Sequence, residues 1–124
     1  MSRALIQHPA HRMPIDELAA GLEQARIEKL VYRRVREDGL QLFCYTSRCV
    51  YEGEWTPITR CARGLVLDQA TQRIVATPFP KFFNLGEHGL VFPDLAFDVY
   101  EKLDGSLIII FHHKGAWHTA TKGS

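Results

Sequence analysis

Glu101-Lys102-Leu103-Asp104-Gly105-Ser106 sets a lysine ahead of an Asp-Gly pair and the apolar run Leu107 to Phe111. A lysine leaving one strand at a tight turn projects its amine from the end of a rigid sheet, which suits a nucleophile. An amine attacks only when neutral, and from a reference pKa of about 10.4 neutralising it at pH 7 costs about 4.6 kcal/mol. Neighbouring cations and partial desolvation supply such a shift. Arg63, Lys81 and Lys122 are the candidates, each beside strand or turn signals. The same cations would neutralise a triphosphate, so one basic pocket can do both jobs. Taken singly, each residue also has an ordinary reading. Lys102 fits a plain hairpin, Arg63 a surface ion pair, Lys81 a solvated residue before a Phe82-Phe83 core anchor, and Lys122 a frayed end. Tyr45 fits a half-buried strand aromatic with its hydroxyl hydrogen-bonded.

Other chemistries find less support. There is no G-x-G-x-x-G and no G-x-x-x-x-G-K-[ST], so a bound nucleotide must be held by side chains. His112 and His113 point to opposite faces of a strand, and His118 lies across a turn without a CxxC partner, which argues against a metal site. Cys44, Cys49 and Cys61 lack metal-ligand spacing and read as buried thiols.

The elements that must position these residues follow from periodicity. Pro14 suits a first helical turn, Asp16 and Glu17 its positive end, and Ile15, Leu18, Leu22 and Ala25 recur at helical spacing, predicting a helix from about Pro14 to about Lys29. Leu30 to Arg36 and Leu40 to Thr46 flank Asp38-Gly39 as a hairpin, and Gly64 to Asp68 with Arg73 to Thr77 form a second. Lys81 to Pro93 reads as an ordered loop or short helix. Phe97 to Lys102, Ser106 to His113 and Ala116 to Lys122 complete the predicted strands. One leading helix followed by runs of strands predicts an α+β fold with a largely antiparallel sheet.

Composition bounds the rest. The 124 residues, 46% hydrophobic, suffice for one modest core, and the balance of 15 basic against 14 acidic residues leaves a net charge of only +1. No global field therefore advertises a nucleic-acid partner. Three cysteines make no disulfide framework and Met1 to His8 is not a secretory signal, which favours a reducing, cytoplasmic setting. The longest apolar run, five residues from Leu107, is far short of the roughly 20 that span a bilayer, so no membrane partner is expected.

Taken in order, Phe43-Cys44-Tyr45, Ala62-Arg63-Gly64-Leu65-Val66, Pro80-Lys81-Phe82-Phe83-Asn84-Leu85, Lys102-Leu103-Asp104-Gly105-Ser106 and Lys122-Gly123-Ser124 resemble the adenylation domain of the RNA ligase 1 family of bacteriophage type. K-x-D-G alone marks the wider group of covalent nucleotidyltransferases; the K-F-F-N and K-G-S elements narrow it. The resemblance implies a partial nucleotidyltransferase fold, ATP and Mg2+ as cofactors, and RNA with 5′-phosphate and 3′-hydroxyl ends as partner. It makes Lys102 the nucleophile that takes up AMP, and assigns Tyr45, Arg63, Lys81 and Lys122 to the ATP pocket. Asp104 and Gly105 would shape the turn that presents Lys102, with Glu101 flanking it.

Members of that family continue past K-G-S with a glutamate-bearing strand, a further acidic residue for metal and a final pair of lysines. The resemblance therefore implies that residues 1–124 form a single, incomplete adenylation domain. It would be inactive alone and completed by a missing C-terminal part or a second chain. Two other readings stand beside it: another lysine nucleotidyltransferase, and a non-catalytic nucleotide- or RNA-binding module. In the latter, Arg26, Lys29, Arg33, Arg34 and Arg36 would form a basic strip.

Overall fold

The computed structural model describes residues 7–84, 86–89, 94, 96, 98–101 and 103–124. A 3₁₀ turn, Pro9–Arg12, leads into helix α1, Ile15–Ile27. Leu18, Leu22 and Ala25 are its buried residues, one or two turns apart, so a single stripe faces the core. The helix closes in a Schellman motif: Leu30 N–H donates to Ala25 O and Lys29 N–H to Arg26 O, with Lys29 at φ +63°. Strands β1, Val31–Val35, and β2, Gln41–Tyr45, follow as the expected hairpin.

Two short helices not expected from the sequence come next. Helix α2, Ser47–Glu52, starts where the Thr46 hydroxyl accepts from Cys49 N–H and stops at Gly53. Helix α3, Pro57–Cys61, starts in a capping box made by Thr56 and Thr59. Strands β3, Arg63–Asp68, and β4, Arg73–Ala76, complete an antiparallel sheet in the order β1-β2-β3-β4. A separate antiparallel hairpin pairs β5, Ile109–His113, with β6, Ala116–Ala120.

The core has two layers because β2 and β3 are buried on both faces. Phe43, Leu65 and Leu67 face α1 and α3, in one cluster with Leu18, Leu22, Cys61 and Ala62. Their neighbours Leu42, Cys44 and Val66 face the other way, against Phe111 and Ala120 of the second hairpin. The four-stranded sheet thus lies between helices and hairpin, and the fold is α+β with antiparallel strands, as expected. The three thiols are all buried and free. Arg36 fastens the hairpin: its guanidinium donates to Thr119 O at 2.8 Å, lies 5.5 Å from the Phe111 ring centroid, and pairs with Asp38 at 3.0 Å.

Two expectations are corrected. The predicted strand Phe97–Lys102 is irregular backbone over its described residues, Asp98–Glu101; Phe97 and Lys102 lie outside the described residues. Val99 and Tyr100 are 83% and 82% exposed, so strand-like composition there has no sheet face to bury it. The strand expected from Ser106 begins only at Ile109. Of the segment Lys81 to Pro93, the described part holds one 3₁₀ turn, Glu87–Gly89. No described helix is long and apolar enough to cross a membrane.

Candidate functional site

Arg63 and Lys122 are brought side by side by one irregularity in the sheet. Phe43 pairs with Leu65 and Cys44 with Arg63, leaving Gly64 as an extra residue in β3 at φ +82°. Such a glycine bulge bends the strand and re-aims the residue before it. It also makes room: a Cβ on Gly64 would lie 3.1 Å from Lys122 Cα, 3.3 Å from Pro78 Cγ and 3.4 Å from Thr121 O. The chain leaving β6 therefore crosses directly over the bulge. There Thr121 Oγ1 accepts from Gly123 N–H at 3.3 Å and Ser124 N–H at 3.2 Å, curling T-K-G-S into a turn with Lys122 exposed.

Lys81 arrives from another direction. Its backbone N–H donates to Arg60 O at 2.8 Å, tying the strand exit to the end of α3. Its ammonium lies 5.8 Å from the Tyr45 ring centroid, 5.3 Å from Trp55 and 5.5 Å from Phe83. The Lys122 ammonium lies 5.5 Å from the same Tyr45 ring. The Arg63 guanidinium sits 4.9 Å from the Phe82 centroid and reaches Pro80 O at 3.5 Å. Phe82 is 52% exposed, so of the expected Phe82-Phe83 anchor only Phe83 is tucked in, edge-on to Trp55 at 5.8 Å.

A cavity of about 480 Å3 opens at this place, lined by Arg63, Gly105, Lys122 and Gly123 with an apolar rim that includes Phe79, Leu107 and Ile109. No carboxylate is among its described lining residues. Burial pushes the neighbouring Cys44 thiol up, and burial together with that thiol pushes the Tyr32 hydroxyl up to about 12, so both stay neutral near pH 7. The arrangement can attract and orient an anion with several negative charges, at a size that suits a nucleotide.

Of the residues singled out from sequence, the structure brings together Tyr45, Arg63, Lys81, Lys122 and Gly105. Glu101 and Asp104 are exposed, on irregular backbone, and do not line the cavity. Lys102 lies outside the described residues. The basic strip is dispersed: Arg26 and Arg33 pair with Glu23, Arg36 pairs with Asp38, and strand alternation puts Arg33 and Arg34 on opposite faces. Trp55 was not singled out from sequence; it lies on an irregular connection between two short helices, where no periodicity marks it.

Among the described residues no cluster of three His, Cys, Asp or Glu side chains could hold a metal ion. The scaffold is antiparallel α+β, with Arg63 and Lys122 lining its cavity; comparison with known proteins gives the family. A family described as RNA ligase matches residues 61–124, just over half of the chain. The chain belongs to that family, the RNA ligase 1 family of phage type. It is 38% identical over 79 residues to a protein of Autographa californica nuclear polyhedrosis virus named as a candidate bifunctional polynucleotide kinase/RNA ligase. That match covers 55% of this chain and 11% of the viral protein. It is 42% identical over 57 residues to a candidate RNA ligase of Thermovibrio ammonificans, covering 43% of this chain and 15% of that protein. The chain thus matches about a tenth to a seventh of these relatives' length. No solved structure matches it.

Proposed function

We propose that residues 1–124 are the nucleotide-binding segment of an ATP-dependent RNA ligase that works through a lysine-AMP intermediate. The observation that carries this reading is that Lys81 and Lys122 converge on the Tyr45 ring while Arg63 and Lys122 line one cavity, with no carboxylate among its described lining residues. In this reading Arg63 and Lys122 grip the phosphates, Lys81 adds a third positive charge, and the rim of Phe79, Leu107 and Ile109 takes the base. Magnesium, carried in on the phosphates, would neutralise further charge.

Lys102, once its ammonium has lost a proton, attacks the α-phosphorus of ATP. The N–P bond forms, the bond to the pyrophosphate oxygen breaks, and a second proton leaves the nitrogen. Gly105 and Asp104 shape the turn beside it, and Glu101 flanks it. The AMP then passes to the 5′-phosphate of RNA, and a 3′-hydroxyl displaces it to seal the strand. Every step is an in-line displacement at phosphorus, for which held cations matter more than acid or base groups. Because Lys122 stands exposed at the cavity, we expect weak ATP binding and little stable adduct from the 124 residues by themselves.

The test is to incubate the chain with α-labelled ATP and magnesium, alone and with the rest of a ligase supplied in cis or as a second chain. Label on the protein that disappears in Lys102→Ala is the expected result. Label that persists in Lys102→Ala refutes the assignment. Label from GTP and not ATP makes the protein another nucleotidyltransferase, and nucleotide or RNA binding without label under every condition makes it a binding module.

A further inference from the structure

The Lys81 ammonium is surrounded by three aromatic rings, and no carboxylate among the described residues pairs with it within ion-pair distance. That combination is unusual for a lysine half-withdrawn from solvent. A carboxylate would fix the ammonium but cancel its charge toward a ligand; ring faces fix it and leave the charge available. The nearest of the three centroids is Trp55, at 5.3 Å. Trp55 also orders the other two rings, standing edge-on to Tyr45 at 5.1 Å and to Phe83 at 5.8 Å.

The backbone holds this indole as firmly as it holds the lysine. Glu54 N–H donates to Cys49 O at 3.1 Å and Trp55 N–H to Gly53 O at 2.9 Å. The buried Thr59 hydroxyl donates to Glu54 O at 2.8 Å, and Thr56 N–H donates back to Thr59 Oγ1 at 2.8 Å. Trp55 is thereby stapled to the start of α3, while Lys81 N–H is bonded to Arg60 O near the end of the same helix. One five-residue helix sets the distance between the lysine and the ring that faces it.

We propose that Trp55 is a positioning residue for the nucleotide chemistry: with Tyr45 and Phe83 it forms an aromatic box that holds the Lys81 ammonium in place, uncancelled, for an incoming phosphate. This rests on the nucleotide reading above. Trp55 and Trp117 are the two tryptophans of the chain, and Trp117 is 73% exposed on the second hairpin, outside the cavity lining. A Trp117→Phe background therefore confines indole chemistry to position 55.

In that background, replacing the tryptophan by mono-, di- and trifluorinated analogues weakens the ring's attraction for a cation in steps while changing shape little. ATP affinity should fall stepwise, reaching about three- to tenfold at the trifluoro analogue, with the melting temperature nearly constant. Trp55→Leu should lose at least as much, and Trp55→Phe should recover part of it. The ε protons of Lys81, shifted upfield by the rings, should return in Trp55→Leu toward those of Lys29 and Lys114, the reference lysines. ATP affinity indifferent to fluorination in a parent that does bind ATP overturns this inference alone, leaving Trp55 a packing residue. Unshifted Lys81 ε protons in the parent refute the box directly. A parent that binds no ATP, alone or completed, refutes the nucleotide reading and this inference with it.

Discussion

Alanine at Gly64 should damage the protein in two separable ways. At φ +82° an L side chain carries the left-handed penalty, about 1–2 kcal/mol. In addition, its Cβ would sit 3.1 Å from Lys122 Cα and 3.4 Å from Thr121 O, both backbone atoms that cannot swing aside. Relieving that overlap means lifting the T-K-G-S turn off the bulge, a packing cost of about 1–3 kcal/mol. Gly39 supplies the control, because it has the same φ of +82° and nothing within 4 Å of its virtual Cβ. Gly39→Ala should cost about 1–2 kcal/mol, and Gly64→Ala about 2–5 kcal/mol. At roughly 4 °C per kcal/mol for a chain of this length, melting followed by circular dichroism should separate the two variants by several degrees. ATP affinity should fall in Gly64→Ala and not in Gly39→Ala, since only the former moves Lys122. If the two alanine variants melt together and bind alike, Gly64 is only a turn residue and the coupling between A-R-G and K-G-S is wrong.

Lys29 occupies the left-handed position of the Schellman motif that ends α1, so Lys29→Gly should stabilise the chain by about 0.5–1 kcal/mol, read as a raised melting temperature. Thr59→Val keeps the shape of a 1%-exposed side chain but leaves Thr56 N–H without its Thr59 Oγ1 acceptor and Glu54 O with only the weak Cys49 thiol donor at 3.4 Å, and should cost about 1–3 kcal/mol in urea unfolding. Burial pushes the Asp38 carboxyl up, yet the Leu40 N–H, the Arg36 guanidinium and His118 together hold it below the ordinary carboxylate range. Its contribution is therefore complete above the unfolded value, about 3.9, and is lost as pH falls through the lower folded one; Asp38→Asn should flatten the loss of stability below about pH 4.

What could be read from the sequence is what a single residue period controls. Leu18, Leu22 and Ala25 share one helical stripe, and α1 was legible from them. The hairpins β1-β2 and β3-β4 were legible because Asp38-Gly39 and the polar stretch Gln69 to Gln72 separate runs rich in branched residues. Helices α2 and α3, of six and five residues, are shorter than two turns and show no period. They exist because Thr46 and the Thr56–Thr59 pair cap them, and a threonine in place of the usual Glu or Gln weakens the signal. Asp98 to Glu101, the described part of the expected strand Phe97 to Lys102, show the opposite failure: strand-like residues form a strand only where another strand offers hydrogen bonds, and sequence does not say where that is. In the same way nothing local distinguishes the half-buried Phe83 from the exposed Phe82.

The motifs of the site divide into residues that face the cavity and residues that let them get there. Arg63 and Lys122 line it, and Lys81 reaches the same Tyr45 ring as Lys122. Ala62 and Gly64 do something else. Ala62 is fully buried and its carbonyl accepts the Tyr45 N–H, fixing the aromatic ring against the start of β3. Gly64 clears the path of the segment that carries Lys122. Gly123 has the matching role on that segment, since a Cβ there would lie 3.3 Å from the Tyr32 hydroxyl. The small residues next to Arg63 and Lys122 are thus steric conditions on where those two cations sit, and they put A-R-G and K-G-S, nearly sixty residues apart, in direct contact. Losing a cation should weaken anion binding and leave the fold intact, because an exposed or half-exposed charge contributes little to stability. Losing a small neighbour should weaken binding and fold together, because the cation can be displaced only by displacing the sheet that holds it.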